Sequence, residues 1–182
     1  GGSCGSSSTS ATSDETKDNV TIILTHTDNS TALSDNTSYS TCSITVTDPA
    51  GNPSTALSVN TFIVDTTAPT VSSTSPDDND SSVSVSDNIS VIFSESMDNT
   101  SVTTNTSNTT CSGYSFQVSS DNFSSCVQMG SSPTVSNSNR TFTVTPSLKM
   151  FYSATYKIRV TDNASDSAGN KIDNHTQTYG FD

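Results

Sequence analysis

Thr141-Phe142-Thr143-Val144-Thr145 sets β-branched hydroxyl residues and apolar residues in strict alternation. Side chains along a strand point to opposite faces in turn, so Phe142 and Val144 share one side and the three threonines the other. Ser and Thr fill about two fifths of the chain and only 29% of residues are hydrophobic, a composition that fits either disorder or a solvated β surface. Disorder would not keep the period. Short runs of this kind recur along the chain and predict an all-β protein.

Working back from that run, Phe62-Ile63-Val64-Asp65-Thr66-Thr67-Ala68-Pro69-Thr70 reads as a seam. Phe62 and Val64 alternate as the end of one strand, while Pro69 removes a backbone donor and pushes Ala68 toward extended geometry, so a second strand begins there. The 182 residues therefore divide into 1–66 and 67–182. A complete sandwich takes roughly seven strands and about 100 residues, so the first unit is expected to be incomplete.

In the first unit, strands are predicted at Val20 to Thr25, Tyr39 to Asp48 and Leu57 to Val64, with Cys42, Ile44 and Val46 on one buried face. In the second they are predicted at Thr70 to Thr74, Asn88 to Phe93, Tyr114 to Val118, Cys126 to Met129, Thr141 to Thr145, Thr155 to Thr161 and Gln177 to Phe181. Ser94 to Asp98 is expected to hold at most one helical turn. The units echo each other: Tyr39…Ile44-Thr45-Val46-Thr47-Asp48-Pro49-Ala50-Gly51-Asn52 returns as Tyr156-Lys157-Ile158-Arg159-Val160-Thr161-Asp162…Ala168-Gly169-Asn170.

The balance of 18 acids against six Lys and Arg gives a formal charge of −12, which argues against nucleic acid as a partner. No apolar run approaches the ~20 residues of a membrane helix, so no membrane insertion is expected within this chain. Gly1 in place of a Met reads as a chain processed or excised from something longer. Cys4, Cys42, Cys111 and Cys126 form an even set without a CxxC pair, and three connectivities are formally open. Pairing Cys4 with Cys42 and Cys111 with Cys126 keeps each bridge within one unit and places the chain in an oxidising compartment. Free buried thiols are the alternative.

These features resemble the bacterial Ig-like repeats of surface and adhesin proteins. VTDPAGN and FIVDTTAPT are similar to the C-terminal part of one repeat. Residues 68–182 resemble the SbsA-type Ig-like domain, through PTVSSTSPDD at 69–78, ISVIFSESMD at 89–98, TFTVTPS at 141–147, YKIRVTD at 156–162 and SAGNKI at 167–172. The resemblance implies tandem Ig-like β-sandwiches in an extracellular, cell-surface setting. It implies a non-catalytic structural module: a stalk, spacer or filament subunit whose partners are neighbouring Ig-like repeats or copies of itself. A sandwich lacking its opening strands further suggests polymerisation by strand complementation. A ligand-binding adhesin or a carbohydrate-binding accessory module, with a cell-surface or glycan ligand, is the alternative.

Two kinds of site are candidates. Related repeats bind Ca²⁺ at domain junctions, which implies Asp48, Asp65 and Asp162; the turn from Asp162 to Asn170 adds Asp166, although no EF-hand spacing occurs. The competing reading is that Asp and Asn form turns by bonding their own backbone, and Pro76 to Asp80 carries the same ambiguity as a solvated loop. Glycosylation sequons occur at Asn19, Asn29, Asn36, Asn79, Asn88, Asn99, Asn105, Asn108, Asn122, Asn139, Asn163 and Asn174, about twice the roughly six expected at random. His26 and His175 come with no nucleophile motif, so an enzyme is not expected.

Overall fold

The computed structural model describes residues 33–40, 42–47 and 50–182. The predicted strand at Val20 to Thr25 lies outside them. Among the described residues all strands pair antiparallel, and no helix is long and apolar enough to cross a membrane. The chain divides into two compact units, Gly1–Thr66 and Thr67–Asp182.

In the first unit, β1 (Thr37–Tyr39) pairs with β4 (Phe62–Val64), and β2 (Ser43–Ile44) pairs with β3 (Leu57–Ser58). The expected continuous strand from Tyr39 to Asp48 is thus two pieces with different partners. Changing partner between Tyr39 and Ser43 interrupts the alternation, so Cys42 is buried and Ile44 half-buried while Val46 is 50% exposed. Leu57 to Val64 splits in the same way into β3 and β4.

The second unit is a two-layer sandwich. One sheet runs β5 (Val71–Ser75), β6 (Ile89–Phe93), β9 (Thr141–Val144), β8 (Thr134–Ser136) in spatial order; the other runs β11 (His175–Thr176), β10 (Lys157–Val160), β7 (Phe116–Ser119). Period-2 alternation turns Ile89, Val91, Phe93, Phe142 and Val144 inward from the first sheet. Phe116, Val118, Ile158 and Val160 meet them from the second. The Phe93 and Phe142 rings pack edge to face with centroids 5.7 Å apart. On β7 the outward residues Gln117 and Ser119 are buried too. The Gln117 Oε1 accepts from Arg159, whose guanidinium lies 3.9 Å over the Phe123 ring. Asp121 gathers Ser119 and Ser125 around the same loop.

Three predicted elements differ. Cys126 to Met129 forms no strand, because its amides go to three separate acceptors: Thr109, Val118 and Asn105. Ser94 to Asp98 holds no helical turn, since the Met97 and Asp98 amides donate to Asn139 and Ser165 on other segments. Gln177 to Phe181 yields its place to β11, because Asp78 takes the amides of Thr178, Tyr179 and Gly180.

The echo between the units has a structural counterpart. Tyr39 and Tyr156 are both buried, and each hydroxyl accepts the amide five residues upstream, Ser34 N at 2.8 Å and Phe151 N at 2.9 Å. That is the tyrosine-corner arrangement of Ig-like sandwiches. Each ring also stacks on a phenylalanine of the unit's last segment, Phe62 and Phe181. The bridge Thr47↔Pro53 matches Ser165↔Lys171, with Gly51 (φ 90°) and Gly169 (φ 95°) at equivalent points of the two turns.

Candidate functional site

Between the edge strands β5 and β11 the second unit opens a cleft of about 340 Å³, lined by Val71 to Thr74, Asp77, Asp78 and His175 to Thr178. Its polar groups are largely engaged in holding the two sheets together. Gln177 is buried: its Oε1 accepts from Ile158 N at 2.9 Å, and its Nε2 donates to Thr74 Oγ1 at 2.9 Å and Pro76 O at 3.0 Å. One side chain therefore continues the ladder of β10 and fastens it to β5. Asp78 accepts three consecutive amides, Thr178 at 2.9 Å, Tyr179 at 2.9 Å and Gly180 at 2.7 Å. Those amides cannot also serve a ladder, which is why the predicted strand from Gln177 to Phe181 does not form. Burial pushes the Asp78 carboxyl up, but the three amides, Gly180 foremost, and the Lys157 charge hold it below its ordinary value. His175 is half-buried, and burial lowers its pKa against an opposing pull from Asp78.

Of the calcium candidates, Asp48 lies outside the described residues, and Asp65 sits half-buried just past β4. Asp162 is exposed. Asp166 is buried; its Oδ1 accepts from Ala168 N at 2.8 Å and Asn170 N at 2.9 Å, and its Oδ2 from Asn170 Nδ2 at 2.8 Å. This is the bonding of a turn-forming Asp. A residue missed in the sequence, Glu95, brings a carboxylate oxygen within 4.8 Å of Asp166. Within the second unit the pair supplies two carboxylates toward the six to eight oxygens that Ca²⁺ takes. The pairing follows from the isolated bridge Met97↔Asp166, a contact of high sequence separation that no local pattern announces.

Among the sequons, Asn105 is fully buried, with its Nδ2 donating to Asn108 O at 2.7 Å. Its amide is enclosed in the folded chain. Asn139 is half-buried; Asn36, Asn79, Asn88, Asn99, Asn108, Asn122, Asn163 and Asn174 are exposed; Asn19 and Asn29 lie outside the described residues. Cys111 and Cys126 are bridged, and Cys42 is disulfide-bonded, while Cys4 lies outside the described residues.

A two-layer antiparallel sandwich with a tyrosine corner and polar side chains turned to fastening its own backbone defines an Ig-like module. Residues 65–182 match the bacterial Ig-like domain, and the chain belongs to that family. Three solved structures are similar at low identity. They are surface layer protein SbsC domains 1-6 (21% identity, TM-score 0.45), the S-layer protein rSbsC(31-844) (21%, 0.44) and the N-terminal part of the bacterial S-layer protein SbsC (22%, 0.43). The matches cover 63%, 63% and 60% of this chain and 13%, 13% and 22% of those chains, so the chain spans a small part of the length of the proteins it resembles. No curated protein sequence matches it significantly.

Proposed function

We propose that the chain is a non-catalytic structural module of an extracellular, cell-surface protein: a stalk, spacer or filament subunit that works by holding its shape and meeting neighbouring repeats or copies of itself. The observation that carries this reading is the use of the polar residues around the cleft. Asp78 and Gln177 satisfy backbone groups across the sandwich, so their polar atoms serve the fold. Membership of the bacterial Ig-like family and the bridged cysteines support a surface setting. Polymerisation by strand complementation is the finer form of the proposal, supported by the two separate two-stranded pairings among the described residues of the first unit.

Gold-labelled antibody against the second unit tests the location. Intact source cells should be decorated without permeabilisation, and label that appears only after permeabilisation overturns the reading. Saturable binding to a glycan array, abolished by substitutions at His175 or Thr176, would replace the structural role with the binding-module one.

A further inference from the structure

The outer face of the β11-β10-β7 sheet carries a cation that meets no acid among the described residues. Arg159 stands opposite Gln117 in the ladder, on the face turned away from Ile158 and Val160. Gln117 is buried and its orientation is fixed, because its Nε2 donates to Cys111 O at 2.8 Å and to Tyr114 O at 2.6 Å. Its Oε1 therefore faces Arg159 and takes the Nε–H at 2.8 Å together with one Nη2–H. These two donors form one side of the guanidinium. The end-on pair, one N–H each from Nη1 and Nη2, meets no acceptor among the described residues. Arg159 is half-buried, and burial lowers its pKa with no carboxylate to offset the desolvation. Asp121, in the loop that follows β7, binds Ser125 and Ser119 instead, and these bonds bring its own pKa down to about 2.

The ring beneath this cation is held under strain. Asn122 and Phe123 take φ of 57° and 63°, the left-handed region that a bulky side chain rarely enters. Ser119 Oγ accepts the Phe123 amide at 2.9 Å, and the Cys111–Cys126 disulfide ties the end of the loop to the segment that orients Gln117. The guanidinium is thereby fixed 3.9 Å over the Phe123 ring. Strain of this kind persists where the surroundings enforce it, and it clusters at ligand clamps. An open end-on pair of guanidinium donors matches the two oxygens of a carboxylate. Charge favours a small acid over an acidic protein: the chain carries a formal −12, so a second copy or a polyanionic partner is repelled as a whole, while a monoacid brings one charge. We propose that Arg159 is a carboxylate-binding site for an acidic sugar, a hexuronate, whose two carboxylate oxygens take the Nη1 and Nη2 donors while the exposed Ser120, Asn122 and Ser124 beside Phe123 bond its hydroxyls. The inference goes beyond the structural-module reading and does not depend on it.

Titration of the ¹⁵N-labelled full chain with glucuronate, followed through the guanidinium resonances by NMR, tests it. The chain has two arginines, so Arg140 serves as an internal control. The Arg159 Nε and Nη signals should shift saturably while those of Arg140 stay in place, and added salt should weaken the binding. Glucose should leave both arginines unmoved, and acetate should bind at least about tenfold more weakly than glucuronate. Arg159→Lys keeps the charge and loses the fork, so it should weaken glucuronate binding by at least about tenfold, read from the backbone amides of the loop from Asp121 to Ser125. Arg159 signals that do not move, or that move equally with glucose, overturn the proposal. So does acetate that binds as tightly as glucuronate, since the sugar would then add nothing, and so does Arg159→Lys that binds like the parent. The guanidinium readout is made on the parent chain, so the result stands even if the variant fails to fold.

Discussion

Removing the Asp78 carboxylate should unfasten the end of the second unit. Asp78 accepts three backbone amides from Thr178, Tyr179 and Gly180, and the bonded segment runs directly into Phe181, whose ring is buried against Tyr156. Hydrogen bonds to a charged group contribute about 1.5–3 kcal/mol each when well shielded. Asp78 is exposed, so solvent screening reduces that to about 1 kcal/mol or less per bond, or about 2–3 kcal/mol in all. For a domain of this size that corresponds to a fall of about 8–12 °C in melting temperature for Asp78→Ala. Asp78→Asn should cost less: one amide oxygen can still receive Tyr179 and Gly180, while its NH₂ opposes the Thr178 donor. The sign of the pH dependence follows from the lowered pKa. The stabilisation is fully present above the ordinary carboxylate value of 3.8 and is lost as pH falls through the lower folded-state value. Melting followed by circular dichroism should therefore show the full deficit of Asp78→Ala at pH 7, shrinking below pH 3.8. The reasoning fails if Asp78→Ala melts within about 1 °C of the parent at pH 7, or if its deficit is the same at pH 7 and at low pH.

Gly180→Ala should be more damaging than its size suggests, because φ is 86° and the new Cβ would collide with the Tyr156 carbonyl oxygen; a loss of about 3 kcal/mol or more is expected in denaturant titration. Replacing Cys111 and Cys126 with Ser together releases a 15-residue closure and should lower stability by about 3 kcal/mol, measured as a shift of the urea midpoint. Expressed through a glycosylating secretory pathway, the folded chain should yield glycopeptides from exposed sequons such as Asn99 and Asn163 and none from Asn105, by mass spectrometry. Calcium binding through Asp162 and Asp166 predicts that Ca²⁺ added to chelator-treated protein raises the melting temperature and that Asp166→Asn abolishes the rise; no rise excludes it.

The core strands were legible because their pattern is local. Phe142 and Val144 alternate with threonines, and Ile158 and Val160 with Lys157 and Arg159, so the inward face of those strands is written in the spacing alone. The repeated Tyr…Ala-Gly-Asn element was equally plain, and it marks the tyrosine corner and the positive-φ turn of both units. What escaped depends on side chains that stand in for backbone. Gln177 to Phe181 has the composition of a strand, yet Asp78, about a hundred residues away in sequence, takes three of its amides. Asp78 itself looked like one acid in a solvated loop.

The loop from Ser147 to Ser153 shows the same limit from the other side. Leu148, Met150, Phe151 and Tyr152 stand close together with no period, and composition cannot say which of them faces the core. Only the bonds of Met150 N to Val85 and Phe151 N to Tyr156 decide that Met150 turns inward while the other three turn out. A long-range contact thus sets which apolar residues serve the core and which stay exposed. The comparison with Ser34 and Asp35 at the equivalent place makes the second group a property of this unit rather than of the architecture.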